Sequence, residues 1–121
     1  MPDARLEELP FRPQCFGELN RDHKWYAFYQ DKVVCGYAAV GSLPGLQAQI
    51  HFEMCRPQPS YVKTAIRLFH DVFVPELRHH GYVSILATNY YKGKKSESWV
   101  NFIKRFGFDE PQVILVSSME I

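Results

Sequence analysis

Apolar positions along this chain change period several times, and each change marks an element. Residues 47–55 (QAQIHFEMC) alternate strictly, with Ile50, Phe52 and Met54 on one side and His51, Glu53 and Cys55 on the other. That is the period of a strand with two unlike faces. Residues 33–40 (VVCGYAAV) form an almost unbroken apolar run, which suits a strand covered on both faces. Lys24–Gln30 (KWYAFYQ) is rich in the ring side chains that favour strands. Asp31 and Lys32 join these two as a tight hairpin connection, and residues 41–45 (GSLPG) read as a loop. After residue 59 the period lengthens, and Val62, Ala65, Ile66, Phe69 and Phe73 recur at helical spacing. Ser60 is the expected N-cap, Pro75 either kinks this helix or begins a second short one, and Gly81 ends it. Residues 82–87 (YVSILA) read as the next strand and residues 88–95 as a polar, basic loop. Ser96 is placed to cap a second helix carrying Trp99, Phe102, Ile103 and Phe106 on one stripe, with Gly107 at its end. A last strand is expected at 113–117, extending to Met119, and closes the sheet. The first 23 residues are the least periodic; they suggest a short strand at 5–8 and an irregular or briefly helical stretch at 13–19.

The expected order is strand, strand, strand, helix, strand, helix, strand: an α/β class, α+β mixed sheet flanked by helices. The unit from 47 to 87 requires two parallel strands joined by a helical crossover. At 121 residues the chain is the size of one domain, 1–121, and its 15% aromatic content can fill a real core. The net charge of +1 supplies no field to draw the protein to nucleic acid or an anionic membrane. No apolar run approaches a membrane span, and the first residues lack the layout of a signal peptide. Cys15, Cys35 and Cys55 are odd in number and widely spread, without a CxxC pair. This argues against a disulfide framework and a cysteine zinc site, and for a reducing, cytoplasmic setting. His23, His70, His79 and His80 make no metal pattern.

This order of elements, with certain residues in place, resembles the GNAT superfamily of N-acetyltransferases over residues 24–108. Val33-Val34-Cys35-Gly36-Tyr37 is similar to the family's third strand, 47–55 to its central strand, and 60–80 to the long helix behind it. Asn89 stands where the family often has an Asn, and Phe102-Ile103-Lys104-Arg105-Phe106-Gly107-Phe108 resembles its aromatic helix ending in Gly-Phe. The resemblance implies acyl transfer from acetyl-CoA or a related acyl-CoA to an amine. In length and texture the chain is also similar to small divergent members from bacteriophage genomes, some of them head or internal virion proteins.

That chemistry needs an anion cradle, a base and an acid. The family's pyrophosphate signature aligns with Arg56-Pro57-Gln58-Pro59-Ser60-Tyr61, where Arg56 matches and Pro59 and Tyr61 replace small residues. Proline offers no N–H and Tyr61 adds bulk, so the cradle is weakened but keeps a helix N-terminus at Ser60, Tyr61, Val62 and Lys63. Main-chain groups near Met54 and Cys55 would hold the pantetheine arm. Glu53 is the candidate base, with His51 two residues away on the same face, against the plainer reading of a solvated or paired carboxylate and a packed histidine. The family's usual acid position is occupied by Ile103; Tyr90 or Tyr91 would have to substitute. Asn89 either orders its loop or bonds the arm. Cys55 reads as a buried, inert thiol rather than a nucleophile. The rival reading is a GNAT-like protein without catalysis, a structural or interaction component that meets other phage or host proteins, such as a component of a phage particle. A third is a nucleic-acid contact through Lys92, Lys94 and Lys95, against a plain solvated loop.

Overall fold

The computed structural model describes residues 3–17, 19, 22–56, 58–87 and 104–108. By contacts the chain divides into two compact units, Met1–Asn89 and Tyr90–Ile121. In the first, five strands form one sheet in the order of the chain: β1 (Ala4–Leu9), β2 (Lys24–Gln30), β3 (Val33–Leu43), β4 (Gln47–Met54) and β5 (Ser84–Ala87). β1 to β4 are antiparallel neighbours, whereas β4 and β5 run parallel from Gln47↔Ser84 to Ile50↔Ala87. The mixed sheet and its helical crossover follow the expected class.

The β2–β3 hairpin turns through Asp31, whose φ of 55° lies in the region that Asp tolerates better than most residues. Its carboxylate accepts the Asp3 amide at 2.9 Å, so the turn is also fastened to β1. The expected loop at 41–45 is shorter than its composition suggests. Gly41, Ser42 and Leu43 continue β3 by pairing with Gln49, Ala48 and Gln47, which leaves a turn at 44–46. Gly41 has a packing reason: a Cβ there would lie 3.1 Å from the His23 ring.

One helical rod crosses from β4 to β5: α1 (Pro59–Leu68), a π-helical segment (Phe69–Phe73) and α2 (Val74–His79). Ser60 is not the N-cap. Gln58 holds that place in an extended conformation and Pro59 occupies the first helical position. A residue before proline is driven out of the helical region, and proline is pre-organised for the first turn. Pro75 neither ends nor sharply breaks the rod. It lacks the N–H that would bond the Asp71 carbonyl, and the preceding turn widens, with Val74 N–H donating to the Phe69 carbonyl. At the far end Gly81 (φ 94°) closes a Schellman motif, with Gly81 N–H to Arg78 O at 3.0 Å and Tyr82 N–H to Leu77 O at 3.1 Å. This occupies the Tyr82 amide, so β5 begins at Ser84 rather than at residue 82 as expected.

The rod buries Val62, Ala65, Leu68, Phe69, Phe73 and Leu77. Phe73 is the centre of this layer, with its ring 5.4 Å from Tyr26, 5.7 Å from Phe28 and 5.6 Å from Phe69. The buried Thr64 hydroxyl donates to Gln30 Oε1 at 2.6 Å and fixes α1 along β2. The opposite face of the sheet carries Phe16 from the 3₁₀ turn Gln14–Phe16, stacked on Trp25 at 6.1 Å and packed on Ala39.

In the second unit, Lys104 and Arg105 are helical and Gly107 has φ 95°, with its N–H on the Lys104 carbonyl at 3.0 Å. Phe106 is buried, and the glycine ends a helix as expected. Asn89, Tyr90, Tyr91, the lysines at 92–95, the start of that helix and the last expected strand lie outside the described residues.

Phe73→Ala should destabilise the protein by about 3–5 kcal/mol in denaturant titration, because three ring contacts go and a cavity remains. Val72→Ala, one residue away but exposed, should cost about 0.5 kcal/mol or less.

Candidate functional site

β4 stops where β3 bulges. Pairing of β2 with β3 slips between Phe28↔Gly36 and Tyr29↔Val34, so Cys35 is the extra residue. Its carbonyl accepts two amides, from Cys55 at 2.8 Å and from Arg56 at 3.3 Å. Beside it, Gly36 pairs with Met54, and a Cβ at Gly36 would lie 2.7 Å from the Glu53 carbonyl oxygen. The Glu53 carbonyl and the Cys55 amide therefore both face β3. Since main-chain direction alternates along a strand, the N–H and C=O of Met54 face the β5 side. The described β5 pairing reaches only Ile50 of β4, four residues earlier.

This geometry separates the expected ligand contacts. Met54 has main-chain groups directed toward β5, whereas the Cys55 and Arg56 amides are used within the sheet. Arg56 lays its guanidinium 5.9 Å from the Tyr61 ring centroid, a cation–π contact at the mouth of α1. In the first turn, the Tyr61 and Val62 amides both donate to the Gln58 carbonyl, at 3.1 and 3.2 Å. Val62 is buried in the core, so it offers neither side chain nor amide to a ligand. Pro59 has no N–H. The Ser60 amide is the first-turn N–H without an acceptor among the described residues. An anion at this helix start thus meets the Ser60 amide, the helix dipole and the Arg56 charge.

Glu53 is exposed on the face opposite the helical rod. His51, on the same strand face, is only 9% exposed and lies 5.7 Å from the His23 ring, which stacks on Trp25 at 5.8 Å. Burial, and then the proximity of His23, lower the His51 pKa, so the ring stays neutral at neutral pH. Cys55 is exposed rather than buried. Partial burial of its thiol and then the Glu53 carboxylate push its pKa up, which leaves it protonated and poorly nucleophilic. Cys15 joins this group: burial first, then Cys55 and Glu53, raise it to about 11. The sequence marked neither Cys15 nor His23 as neighbours of β4, because they stand in the aperiodic N-terminal stretch. The bulge at Cys35 was equally silent, hidden inside a uniformly apolar run. Among the described residues, no group of three or more His, Cys, Asp or Glu could hold a metal ion, and no helix is long and apolar enough to cross a membrane.

No protein-family model matches the chain, and no curated protein matches it in sequence. Similar solved structures include glucosamine-6-phosphate N-acetyltransferase from Arabidopsis thaliana, 10% identical, covering 82% of this chain and 68% of that one with a TM-score of 0.47. They also include an acetyltransferase from Trypanosoma brucei, 15% identical, covering 97% of this chain and all (100%) of that one with a TM-score of 0.49.

Gly36→Ala should destabilise the protein by about 1–3 kcal/mol, read from the urea midpoint, because the added methyl meets the Glu53 backbone rather than a movable side chain. The His51 pKa is lowered in the folded state, so the unfolded chain binds the proton more readily. Stability should therefore be full above the ordinary value of 6.5 and fall as pH drops below it. His51→Gln should flatten that part of the pH–stability profile.

Proposed function

We propose that this chain is a small GNAT-like N-acyltransferase that moves an acyl group from acyl-CoA to an amine. The observation that carries this reading is the end of β4. There a strand paired in parallel with its neighbour presents an exposed carboxylate, Glu53, and is followed by the helix N-terminus at Pro59. Parallel strands leave a crevice at their carboxyl ends, where extended ligands bind beside a helix start.

In this reading the Ser60 amide and the Arg56 guanidinium hold the pyrophosphate, and the Met54 main chain pairs with the pantetheine arm. Acyl-CoA supplies the activated thioester. Glu53 accepts a proton from the attacking amine, directly or through water, as the C–N bond forms and the C–S bond breaks. The departing thiolate takes its proton from water or from Tyr90, and Asn89 orders the arm. His51, packed and neutral beside His23, supports the strand rather than exchanging the proton. Val62 and the Cys55 amide drop out of the cofactor contacts.

Acetyl-CoA at a hundred times its Kd should stabilise the protein by about 2.7 kcal/mol in thermal melting. Arg56→Gln should reduce that shift, while Glu53→Gln should keep it and lose turnover toward amines. Absence of a shift at millimolar acetyl-CoA with folded protein would reject the reading and favour a non-catalytic GNAT-like protein. Full turnover in Glu53→Gln would remove Glu53 as the base.

A further inference from the structure

The sheet has an open side at β1. This strand stands at the end of the strand order and pairs with β2 alone among the described residues. Its register runs unbroken from Ala4↔Gln30 to Leu9↔Trp25, so no bulge turns the edge away, and no proline interrupts it before Pro10. One anchor fixes where its main-chain groups point. The Asp31 amide donates to the Asp3 carbonyl at 2.6 Å, and the Asp3 amide donates to the Asp31 carboxylate at 2.9 Å, so both Asp3 groups face β2. Main-chain direction alternates along a strand. Arg5, Glu7 and Leu9 therefore also turn their N–H and C=O to β2, while Ala4, Leu6 and Glu8 turn theirs to the open edge. No described group bonds them there.

Such an edge is a template for another strand, and the charges on this one select a register for a second copy of itself. Two identical antiparallel strands are related by a twofold axis normal to the sheet, which passes through one residue paired with its own copy. An axis at Arg5 sets two guanidinium groups together, and an axis at Glu7 or Glu8 sets two carboxylates together. Like charges directly opposite are destabilising. An axis at Ala4 or Leu9 overlaps only the end of the strand. An axis at Leu6 avoids all of these and pairs Leu6 with Leu6, Ala4 with Glu8, and Arg5 with Glu7. The first two pairings join residues with outward main-chain groups, so each exchanges N–H···O bonds in both directions. Arg5 and Glu7 then meet at the narrower positions between, where side chains come closest. Within one strand they already form an ion pair at 2.8 Å, and Arg5 also holds the Asp31 carbonyl at 2.9 Å. The pairing keeps those bonds and sets opposite charges alternately across the axis. Its register rests on avoiding like charges, and needs no vacant side-chain group. Leu6 lies half-buried opposite Phe28, on the helix side of the sheet, and its remaining exposure closes on the axis.

We propose that the open edge of β1 pairs with the same edge of a second copy, antiparallel about Leu6, and joins the two sheets into one. The interface lies three strands from β4, roughly 14 Å across the sheet, and takes no part in the acyl transfer.

Sedimentation equilibrium of the whole chain, from micromolar to submillimolar concentration, should show a reversible monomer–dimer equilibrium. Arg5→Glu sets carboxylates opposite Glu7 of the other copy and should weaken the dimer at least roughly tenfold, about 1.4 kcal/mol. Combining it with Glu7→Arg should restore the original constant. Leu6→Pro removes an outward N–H and no bond to β2, a change that edge strands accept, and should leave a monomer. Circular dichroism checks that each variant is folded, and the charge swap decides the matter if Leu6→Pro is not. A monomer throughout the range, a dimer that survives in folded Leu6→Pro, or a charge swap no tighter than Arg5→Glu alone overturns the proposal. A monomer with a normal acetyl-CoA shift in melting rejects this interface and leaves the acyltransferase reading standing.

Discussion

One carbonyl group sets the end of the central strand. The Cys35 oxygen, turned out by the β3 bulge, takes both amides that follow Met54 and ends the regular ladder there. Everything at the candidate site depends on that stop. It sets Glu53 as the carboxylate that β4 presents outward and turns Met54 toward β5, shortly before α1 begins at Pro59. The bulge works only because Gly36 lets the two backbones close on each other, with no side chain between Gly36 and the Glu53 carbonyl.

The two faces of the sheet are built on different terms. The helix face is a ring-packed layer in which Phe73 touches Tyr26, Phe28 and Phe69, and its stabilisation is mainly apolar burial. The other face mixes apolar and titratable groups: Phe16 and Trp25, His23 and His51, and Cys15 and Cys55 near Glu53. Burial there drives His51 toward its neutral form and both thiols toward their protonated forms. Glu53 and Arg56 both stand exposed at the end of β4.

Much of the fold was legible in the sequence. The strict alternation of 47–55 gave β4 its length and its two faces, and the 3.6-residue spacing of Val62, Ala65, Phe69 and Phe73 gave the helix its buried side. Where the reading went astray, the preference of a single residue was overruled by a backbone constraint from a few positions away. Gly41, Ser42 and Leu43 look like a loop, yet β4 pairs with them. Tyr82 and Val83 look like strand, yet the Schellman closure of α2 takes the Tyr82 amide. Ser60 looks like a cap, yet Pro59 starts the helix one residue earlier.

The candidate site divides in the same way. The strand that carries Glu53, and the loss of an amide at Pro59, were fixed by residue identity, because proline chemistry and a two-residue period act within a few positions of the chain. That the Val62 amide is spent, that Cys55 is exposed and that His51 sits against His23 were decided only by the tertiary structure. Each depends on which surface the fold sets against a given side chain, and burial and charge proximity act through space, without regard to distance along the sequence.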